Sequence, residues 1–351
     1  MKKIIIGMLI CTSLLMSACG AQQTQNTQQT QNTQDTTTIA SGNTSVSEES
    51  TLVETESTTI TVEHAFGTTE IPANPERIVS VYLEDMLLAL NVPLELAVTI
   101  GEDNYLSEEM KNRGIETIAA GENINFELLV EQQPDLIITM DVITQDVYDS
   151  LNKIAPTIAF SRRSWQDSLP KLGAALGMED EAQKVIDDYA EHVAEAQNTL
   201  SGVLEDKPTA AAIRFTAKTM RLYFPRVRGA ATRQGYVTSL YEDLGFGVED
   251  FISNLQLQED PARENAQISM EVLPELQSDY IFVIIGSAGN TTDAQQQDLT
   301  DFEEITGSDI WSGLTAVQND HVYYLESRYW ISDGPLADTM KINQIVELLT
   351  K

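Results

Sequence analysis

The sequence predicts an α/β protein of two lobes with mainly parallel sheets, joined by one long helix. Between Arg77 and Phe160, short apolar strands alternate with helices, which is typical of a parallel sheet covered on both faces. From Trp165 to about Leu200, apolar residues recur every three to four positions, as in a helix that connects two lobes. After Pro208 the alternation resumes, so we expect a second lobe of similar architecture.

The N-terminus has the features of an export signal. Lys2 and Lys3 precede a short apolar stretch, and small residues stand directly before Cys19. This pattern predicts a lipoprotein signal peptide over residues 1–18 and acylation of Cys19 with palmitate, which would anchor the protein to the cell membrane on its extracytoplasmic side. The alternative is an ordinary secretory signal with an incidental cysteine. Residues 19–57 are polar and almost without apolar content, so we expect a disordered tether.

The composition narrows the possible partners and cofactors. The formal net charge of −33 argues against binding to nucleic acid or to an anionic membrane face. Cys11 lies in the signal and Cys19 at the predicted anchor, so no thiol remains for a disulfide, a thiolate metal site or cysteine catalysis. His64, His192 and His321 do not have metal-ligand spacing, so we expect no metal bound directly by the protein.

The elements of the two lobes follow from the same patterns. A hairpin around Gly67 opens the first lobe, which we place at residues 58–164. Its further predicted strands are Arg77–Tyr82, Leu96–Ile100, Asp135–Met140 and Thr157–Phe160, and its predicted helices are Asp85–Leu90, Phe126–Gln133 and Val147–Ile154. The connecting helix covers 165–200, with Pro170 near its start and Gly177 at the position for a bend or a break. The second lobe covers 201–351, with predicted strands Thr209–Phe215, Met220–Phe224, Tyr280–Ile285 and His321–Leu325, and predicted helices Tyr236–Leu244, Met270–Leu276 and Leu336–Leu349.

Basic residues are concentrated in one segment of the second lobe. Five of the eleven arginines lie within twenty residues there: Arg214, Arg221, Arg226, Arg228 and Arg233. In so acidic a chain they create a local positive potential, and the guanidinium group suits carboxylate or other oxygen-rich anions. Strand alternation places Arg221 and Tyr223 on one face, with Arg226 and Arg228 where the next loop begins. We predict an anion-binding site; the alternative is that these arginines only neutralise the acidic surface around them.

Aromatic residues at strand ends extend this predicted site. Tyr82, Trp165 and Trp330 follow apolar strands, so we expect their rings at a loop rim where a large chelate with apolar edges could rest. The alternative is that they belong to the core, as buried aromatic residues more often do. Further predicted contacts are Tyr105, Tyr236 and Arg163; the neighbouring Arg162 either adds a first-lobe anion contact or faces solvent.

Several segments in matching order carry a resemblance to a known family: Pro75–Val81, Phe126–Ile138 and Asp333–Ala337. From about Thr58 to Lys351 the chain resembles the class III solute-binding proteins, which serve importers of ferric siderophores, haem and cobalamin. Met86–Leu90 and Asp103–Tyr105 are similar to the ferric hydroxamate-binding branch. The resemblance implies two Rossmann-like lobes that hold a ligand in the cleft between them, in a largely pre-formed site.

The resemblance also implies the ligand, the partners and further site residues. Arg263 and Arg328 are expected to face the cleft. The expected partners are an ABC permease and its ATPase, which the family contacts through one acidic residue on each lobe. These residues are Glu127 in the first lobe and Glu249 in the second, with Glu242 and Glu271 as alternatives for Glu249. We expect the protein to be a monomer.

Iron is expected to arrive already wrapped by its chelator, so no cofactor is expected. Ferric carboxylate or mixed citrate-hydroxamate complexes suit the arginines best. The alternatives are haem, with Tyr82 or Tyr105 as axial ligand, and cobalamin. No nucleophile elbow, phosphate loop or paired-histidine motif is present in the sequence, so we do not expect an enzyme. The remaining alternative is an acidic adhesion or sensor lipoprotein.

Overall fold

Two five-stranded sheets and one hairpin form the β structure of the computed structural model, which describes residues 58–120, 123–216, 219–225, 235–259, 263–286 and 292–351. The hairpin pairs β1 (Thr59–His64) with β2 (Gly67–Pro72) in antiparallel fashion, which confirms the prediction from the alternation around Gly67. It is attached to the edge of the first sheet, where the Ala65 amide donates to the Ala159 carbonyl at 3.1 Å.

The first lobe contains an all-parallel sheet with the strand order β5-β4-β3-β6-β7. Its strands are β3 (Ile78–Val81), β4 (Leu96–Thr99), β5 (Glu116–Ala119), β6 (Leu136–Met140) and β7 (Thr157–Phe160). The helices beside it are α1 (Glu84–Ala89), α2 (Ser107–Asn112), α3 (Phe126–Glu131) and α4 (Gln145–Asn152). Every residue of β3, β4 and β7 is buried, which explains why these strands read as continuous apolar runs.

The second lobe contains a mixed sheet with the order β10-β9-β8-β11-β12. Its strands are β8 (Ala210–Thr216), β9 (Thr219–Tyr223), β10 (Asn265–Ile268), β11 (Tyr280–Ile285) and β12 (Val322–Leu325). The pairs β8–β11 and β11–β12 are parallel, whereas β8–β9 and β9–β10 are antiparallel. The prediction of mainly parallel sheets therefore describes the first lobe better than the second. The reason is the short β8–β9 connection, since a connection of so few residues can join only antiparallel strands.

The remaining helices cover the second sheet and return to the first lobe. They are α7 (Ser201–Leu204), a π-helical turn (Ser239–Asp243), α8 (Asp250–Glu259), a 3₁₀ helix (Met270–Glu275), α9 (Thr292–Thr306), α10 (Asp309–Ser312), α11 (Thr315–Gln318), α12 (Ser327–Trp330) and α13 (Pro335–Thr350). In the described part of the chain, no helix combines the length and the apolar character that a membrane crossing requires.

The connection between the lobes is made of two helices and not of the single long helix predicted for 165–200. They are α5 (Trp165–Leu176) and α6 (Glu179–Thr199). Gly177 ends α5 with a φ of 65°, a left-handed conformation that glycine adopts at low cost. The Met178 amide then donates back to the Gly173 carbonyl at 2.8 Å. Gly177 therefore marks a break between two packed helices.

One apolar core extends across both lobes. It includes Leu87 and Phe160 from the first lobe, Trp165 from α5, and Phe282 and Ile342 from the second lobe. The last helix, α13, packs against both α6 and α1, so it returns from the second lobe to the first. The lobes are therefore held together by a continuous buried surface, and each large apolar side chain in it contributes about 1.5–3 kcal/mol.

A local arrangement recurs in the two lobes. Asp135 accepts from the Arg77 amide at 3.0 Å, just before β3, while Asp279 accepts from the Thr209 amide at 2.7 Å, just before β8. Each of these aspartates stands eight residues after a glutamate, Glu127 or Glu271, at the start of the preceding helix. Glu127 and Glu271 thus occupy equivalent places in the two lobes, and both are exposed.

Candidate functional site

A small cavity of about 20 Å³ lies at the carboxyl ends of the first-lobe strands. Tyr82 follows β3, Tyr105 follows β4 and Arg162 follows β7, and all three line the cavity. Arg328 and Asp333 line it from the second lobe. The cavity therefore lies between the lobes, at the edge where parallel sheets place their ligand loops. This position agrees with the predicted location of Tyr82, Tyr105 and Arg328.

Two tyrosines shape the first-lobe wall of the cavity. Tyr82 has a φ of 62°, a conformation that a bulky residue adopts only when its surroundings hold it there. Burial and the nearby Glu84 carboxylate raise the pKa of Tyr82. Tyr105 donates its hydroxyl hydrogen to Asp85 Oδ2 at 2.5 Å, and burial together with that carboxylate raises its pKa well above the usual value. Both phenols therefore stay neutral near physiological pH.

Unsatisfied polar atoms surround Arg162. Within the described residues its guanidinium interacts with charged and polar groups at longer range and forms no hydrogen bond. Burial lowers the pKa of Arg162, but Asp333, Tyr236 and Glu84 raise it, and the net direction is upward. Glu84 Oε2 and Asp333 Oδ2 are buried, and in the same part of the chain neither accepts a hydrogen bond. Buried polar atoms are rarely left unpaired, so the small cavity beside them suits a polar occupant of the size of a water molecule. The sequence alone leaves two roles open for Arg162, a ligand contact or a solvent-facing position.

A second group of residues, here called the arginine–tyrosine cluster, comprises Arg163, Arg214, Arg221, Tyr223 and Tyr236. Arg214 and Arg221 are register partners on β8 and β9, so their side chains share one face of the sheet. Arg214 Nη1 donates to the Tyr223 hydroxyl at 3.3 Å, and the rings of Tyr223 and Tyr236 are 5.9 Å apart. The prediction that Arg221 and Tyr223 lie on one face of the strand is confirmed, whereas their contact with a ligand stays a prediction.

Arg163 joins this cluster to the first lobe. Its guanidinium lies 5.1 Å from the centre of the Tyr236 ring and donates to the Tyr236 hydroxyl at 3.3 Å. It also forms an ion pair with Glu264 and approaches Asp333 Oδ2 at 3.5 Å. Arg328 similarly pairs with Asp103 of the first lobe at 3.2 Å. Two of the predicted ligand arginines therefore bridge the lobes in this arrangement, and an anionic ligand would compete with carboxylates of the protein.

Trp165 and Trp330 do not lie at a loop rim, and that expectation is wrong. Both side chains are fully buried. Trp165 Nε1 donates to Asp338 Oδ2 at 2.8 Å, and Trp330 Nε1 donates to Gln344 Oε1 at 2.6 Å. The reason is that α13 packs over both rings and supplies the acceptors that buried indole groups need. A ligand would reach these rings only if the lobes moved apart.

Other predicted site residues lie elsewhere or outside the described residues. Arg263 is exposed and pairs with Glu259 of its own lobe at 3.1 Å, whereas its neighbour Glu264 faces Arg163. The expected cleft-facing position of Arg263 is therefore not seen. Arg226 and Arg228 of the predicted arginine loop, and Cys19 of the predicted anchor, lie outside the described residues and remain predictions.

The two predicted docking glutamates have different surroundings. Glu127 is exposed at the start of α3. Both carboxylate oxygens of Glu249 are used within the second lobe: Oε2 accepts from the Gln277 amide at 2.8 Å and Oε1 from the Ser278 hydroxyl at 2.6 Å. This arrangement fits a structural role for Glu249 and leaves Glu271, the exposed counterpart of Glu127, as the better-placed acid of the second lobe.

Sequence reasoning missed the acidic side of the site. Glu84 and Asp85 are buried at the start of α1, and Asp333 is buried before α13. Burial raises the pKa of each of these carboxyl groups. A signal was present, because Glu84 and Asp85 interrupt an apolar run, and acids at core positions need partners. Across the described ranges, no group of three or more histidine, cysteine, aspartate or glutamate residues is arranged to hold a metal ion.

Comparison with known proteins gives consistent matches over both lobes. A family model described as periplasmic binding protein matches residues 78–329. The probable siderophore-binding lipoprotein YfiY of Bacillus subtilis is 28% identical over 288 residues, covering 79% of this chain and 83% of that protein. The iron(3+)-hydroxamate-binding protein FhuD of Bacillus subtilis is 27% identical over 317 residues, covering 89% and 93%. The solved structure of Staphylococcus aureus SirA complexed with staphyloferrin B aligns with a TM-score of 0.69 at 28% identity, covering 83% of this chain and 98% of that one.

Proposed function

The chain belongs to the periplasmic binding protein family, and we propose that it captures an anionic ferric siderophore between its lobes for an ABC importer. The siderophore is of the carboxylate or hydroxamate type, and the protein delivers it to the permease for iron uptake. Support comes from the relatives, whose names include a probable siderophore-binding lipoprotein and an iron(3+)-hydroxamate-binding protein. No catalytic step is part of this proposal.

The observation that carries the ligand class is the supply of guanidinium groups from both lobes. Arg162 lines the cavity from the first lobe, Arg328 lines it from the second, and Arg214 and Arg221 face one side of the second sheet. Guanidinium groups bind carboxylate oxygens in bidentate geometry and with charge assistance. Ferric chelates with carboxylate donors or free carboxylates present this chemistry. The complex of SirA with staphyloferrin B is a precedent for such a ligand in a similar chain.

Membrane attachment and docking complete the proposal. Acylation of Cys19 anchors the protein outside the cell membrane, and the polar segment 19–57 tethers it near the permease. Glu127 and Glu271 then contact basic residues of the permease, one from each lobe. Their equivalent places support this pairing, because a partner made of two similar halves would meet the same local structure twice.

Titration of the purified protein against a panel of complexes tests the ligand class. The panel consists of ferric staphyloferrin B, ferrichrome, ferri-bacillibactin, haemin and cyanocobalamin, with binding followed by isothermal calorimetry. We expect ferric staphyloferrin B to bind at least about tenfold more tightly than neutral ferrichrome, a difference of about 1.4 kcal/mol.

Two results would contradict the proposal. Preferred binding of haemin or cyanocobalamin would assign the protein to another ligand class. Absence of binding to every complex, with an intact fold by circular dichroism, would favour an adhesion or sensor role. The iron-free siderophores serve as the control, because the bare chelators lack the preorganised ferric geometry and should bind much more weakly.

A further inference from the structure

The small cavity between the lobes has more acidic than basic side chains in its wall. Its charged lining residues are Glu84, Asp85, Asp103 and Asp333 against Arg162 and Arg328. The carboxylates exceed the guanidinium groups by two. Each guanidinium can balance one carboxylate, so a negative excess remains at this place even when both arginines are counted. The cavity therefore suits a positively charged group, in contrast to the arginine–tyrosine cluster.

Two of these carboxylates have an oxygen that no donor uses. Glu84 and Asp333 are only 6% and 4% exposed, and within the described ranges Glu84 Oε2 and Asp333 Oδ2 accept no hydrogen bond. The other oxygen of Glu84, Oε1, accepts from Asn104 Nδ2 at 2.7 Å, which fixes the orientation of this carboxylate. Asp333 Oδ2 lies 3.5 Å from Arg163 Nε, close enough for an ion pair only. Buried acceptors without a donor are costly, so both oxygens call for an external donor.

The Tyr105 hydroxyl provides a third acceptor in the same wall. It donates its hydrogen to Asp85 Oδ2 at 2.5 Å, so its oxygen keeps a lone pair that can accept. Asp85 itself needs no further donor, because it also caps the start of α13. Its Oδ1 accepts from the Leu336 amide at 3.0 Å and its Oδ2 from the Ala337 amide at 2.9 Å. The Tyr105 oxygen thus joins the two unused carboxylate oxygens as an acceptor.

The size of the cavity and the number of acceptors fit a primary ammonium group. A cavity of about 20 Å³ holds one group of the size of a water molecule. A water molecule donates two hydrogen bonds and brings no charge, whereas an ammonium group donates three and balances a buried carboxylate. Burial raises the pKa of Glu84, against the opposing effects of its own backbone amide, Arg162 and Asn104. A cation beside Glu84 would favour the ionised form of this carboxyl group.

We propose that Glu84 and Asp333 form a subsite for a primary ammonium group, and that the ligand is a ferric chelate that carries one. The ammonium group donates to Glu84 Oε2, Asp333 Oδ2 and the Tyr105 oxygen. The anionic oxygens of the chelate face the arginines, so charge fixes the orientation of the ligand in the site. The ligand part of this inference rests on the proposed function, whereas binding of a small ammonium ion in the cavity does not.

Methylammonium chloride tests the cavity in the protein without a chelate. Nuclear magnetic resonance follows the side-chain amide signal of Asn104, which bonds Glu84 directly. We expect a saturable shift of this signal with methylammonium chloride, and no saturable shift with sodium chloride at the same ionic strength. Glu84→Gln should abolish the saturable shift, because glutamine keeps the shape of the side chain and lacks its charge. Glu131→Gln is the matched control, since Glu131 is exposed on α3 of the same lobe, and it should respond as the wild type does.

A pair of ferric hydroxamates tests the ligand class. Ferrioxamine B and its N-acetyl derivative share one ferric hydroxamate core, but only ferrioxamine B has a free primary ammonium group. We expect the wild-type protein to bind ferrioxamine B about tenfold more tightly, because acetylation removes the charged donor. In Glu84→Gln the two complexes should bind with nearly equal affinity. The comparison within the wild-type protein does not depend on whether the variant folds.

The outcomes separate this inference from the proposed function. Absence of a saturable methylammonium shift in the wild type would overturn the subsite, as would an unchanged shift in Glu84→Gln. Equal wild-type affinities for the two ferrioxamine complexes, or no binding of ferrioxamine B, would overturn the ligand part of the inference. Methylammonium binding that depends on Glu84, in a protein that binds no ferric complex, would overturn the proposed function and leave the subsite in place.

Discussion

The charge of the candidate site is set by where single side chains fall in the strand register. Arg214 and Arg221 are directly opposite each other on antiparallel strands, with Tyr223 next to them. Like charges in such a pair repel by roughly 0.2–1 kcal/mol. An anion that contacted both guanidinium groups would remove this repulsion.

Arg221→Gln should weaken binding of ferric staphyloferrin B without unfolding the protein. The Arg221 guanidinium donates to Asn265 Oδ1 at 3.1 Å, and glutamine can keep a hydrogen bond to that side chain while losing the charge. Loss of one charge-assisted contact to the ligand should cost about 1.5–3 kcal/mol of binding free energy, or roughly tenfold to a hundredfold in Kd. Calorimetric titration measures the loss, and thermal unfolding verifies the fold.

Arg263→Gln is the matched control for this change. Arg263 belongs to the same lobe, and its replacement removes the same positive charge. Unlike Arg221, it is exposed and paired with Glu259. Its replacement should alter the affinity less than about threefold, because a surface ion pair contributes little. An equal loss in both variants would mean that net charge alone determines binding, and it would remove β9 from the site.

At the level of helices and strands, the apolar patterns predicted the elements that are buried and missed those that are exposed. Strands β3, β4, β6 and β7 were predicted because burial on both faces makes them apolar throughout. The edge strand β5 was missed because three of its four residues are exposed, which leaves no apolar run. Strand β10 was also missed, because its four residues (Asn265–Ile268) include only one large apolar side chain, Ile268.

The site was predictable to the extent that strand ends and arginine spacing define it. Tyr82, Tyr105 and Arg328 follow from strand ends or from the family resemblance, and the shared face of Arg221 and Tyr223 follows from alternation. The positions of Trp165 and Trp330 did not follow, because no local pattern encodes how α13 packs on distant segments. For the same reason, the cap that Asp85 provides across 252 positions of sequence could not be predicted.

The break between α5 and α6 leads to a prediction about Gly173. The two helices approach so closely there that a Cβ on Gly173 would lie 2.7 Å from Ala182 Cβ and 2.9 Å from the Met178 carbonyl oxygen. Gly173→Ala should therefore force the helices apart and lower the free energy of unfolding by about 1–3 kcal/mol. Urea denaturation measures the change.

Gly202→Ala is the matched control, and we expect it not to lower the free energy of unfolding in the same experiment. A Cβ at Gly202 meets nothing within 4 Å, and the residue lies in helix α7, so alanine should be neutral or stabilising by up to about 1 kcal/mol. If Gly173→Ala were as well tolerated as Gly202→Ala, the tight α5–α6 contact would not hold in solution.

For the whole molecule, the two lobes present one local structure twice. In each lobe an exposed glutamate begins a helix, and an aspartate eight residues later bonds the amide that precedes the neighbouring parallel strand. The spacing is kept although α3 is an α-helix and its counterpart is a 3₁₀ helix. An equivalent pair of acids on the two lobes suits a partner with two similar halves, which is the reason for preferring Glu271 over Glu249.

Charge reversal separates docking from ligand capture. Glu127→Arg and Glu271→Arg should each reduce uptake of radioactive iron by cells supplied with ferric staphyloferrin B, because like charges would meet at the permease. The Kd of each purified variant should stay within about twofold of wild type, since both residues are exposed and neither lines the cavity. Glu304→Arg, an equally exposed change on α9, should leave uptake normal.

Glu249→Arg should instead lower the stability of the protein, because the Gln277 amide and the Ser278 hydroxyl would lose their acceptor. One result would contradict the docking assignment. If the Glu249→Arg protein were stable but blocked uptake, while cells with Glu271→Arg took up iron normally, then Glu249 and not Glu271 would be the second docking residue.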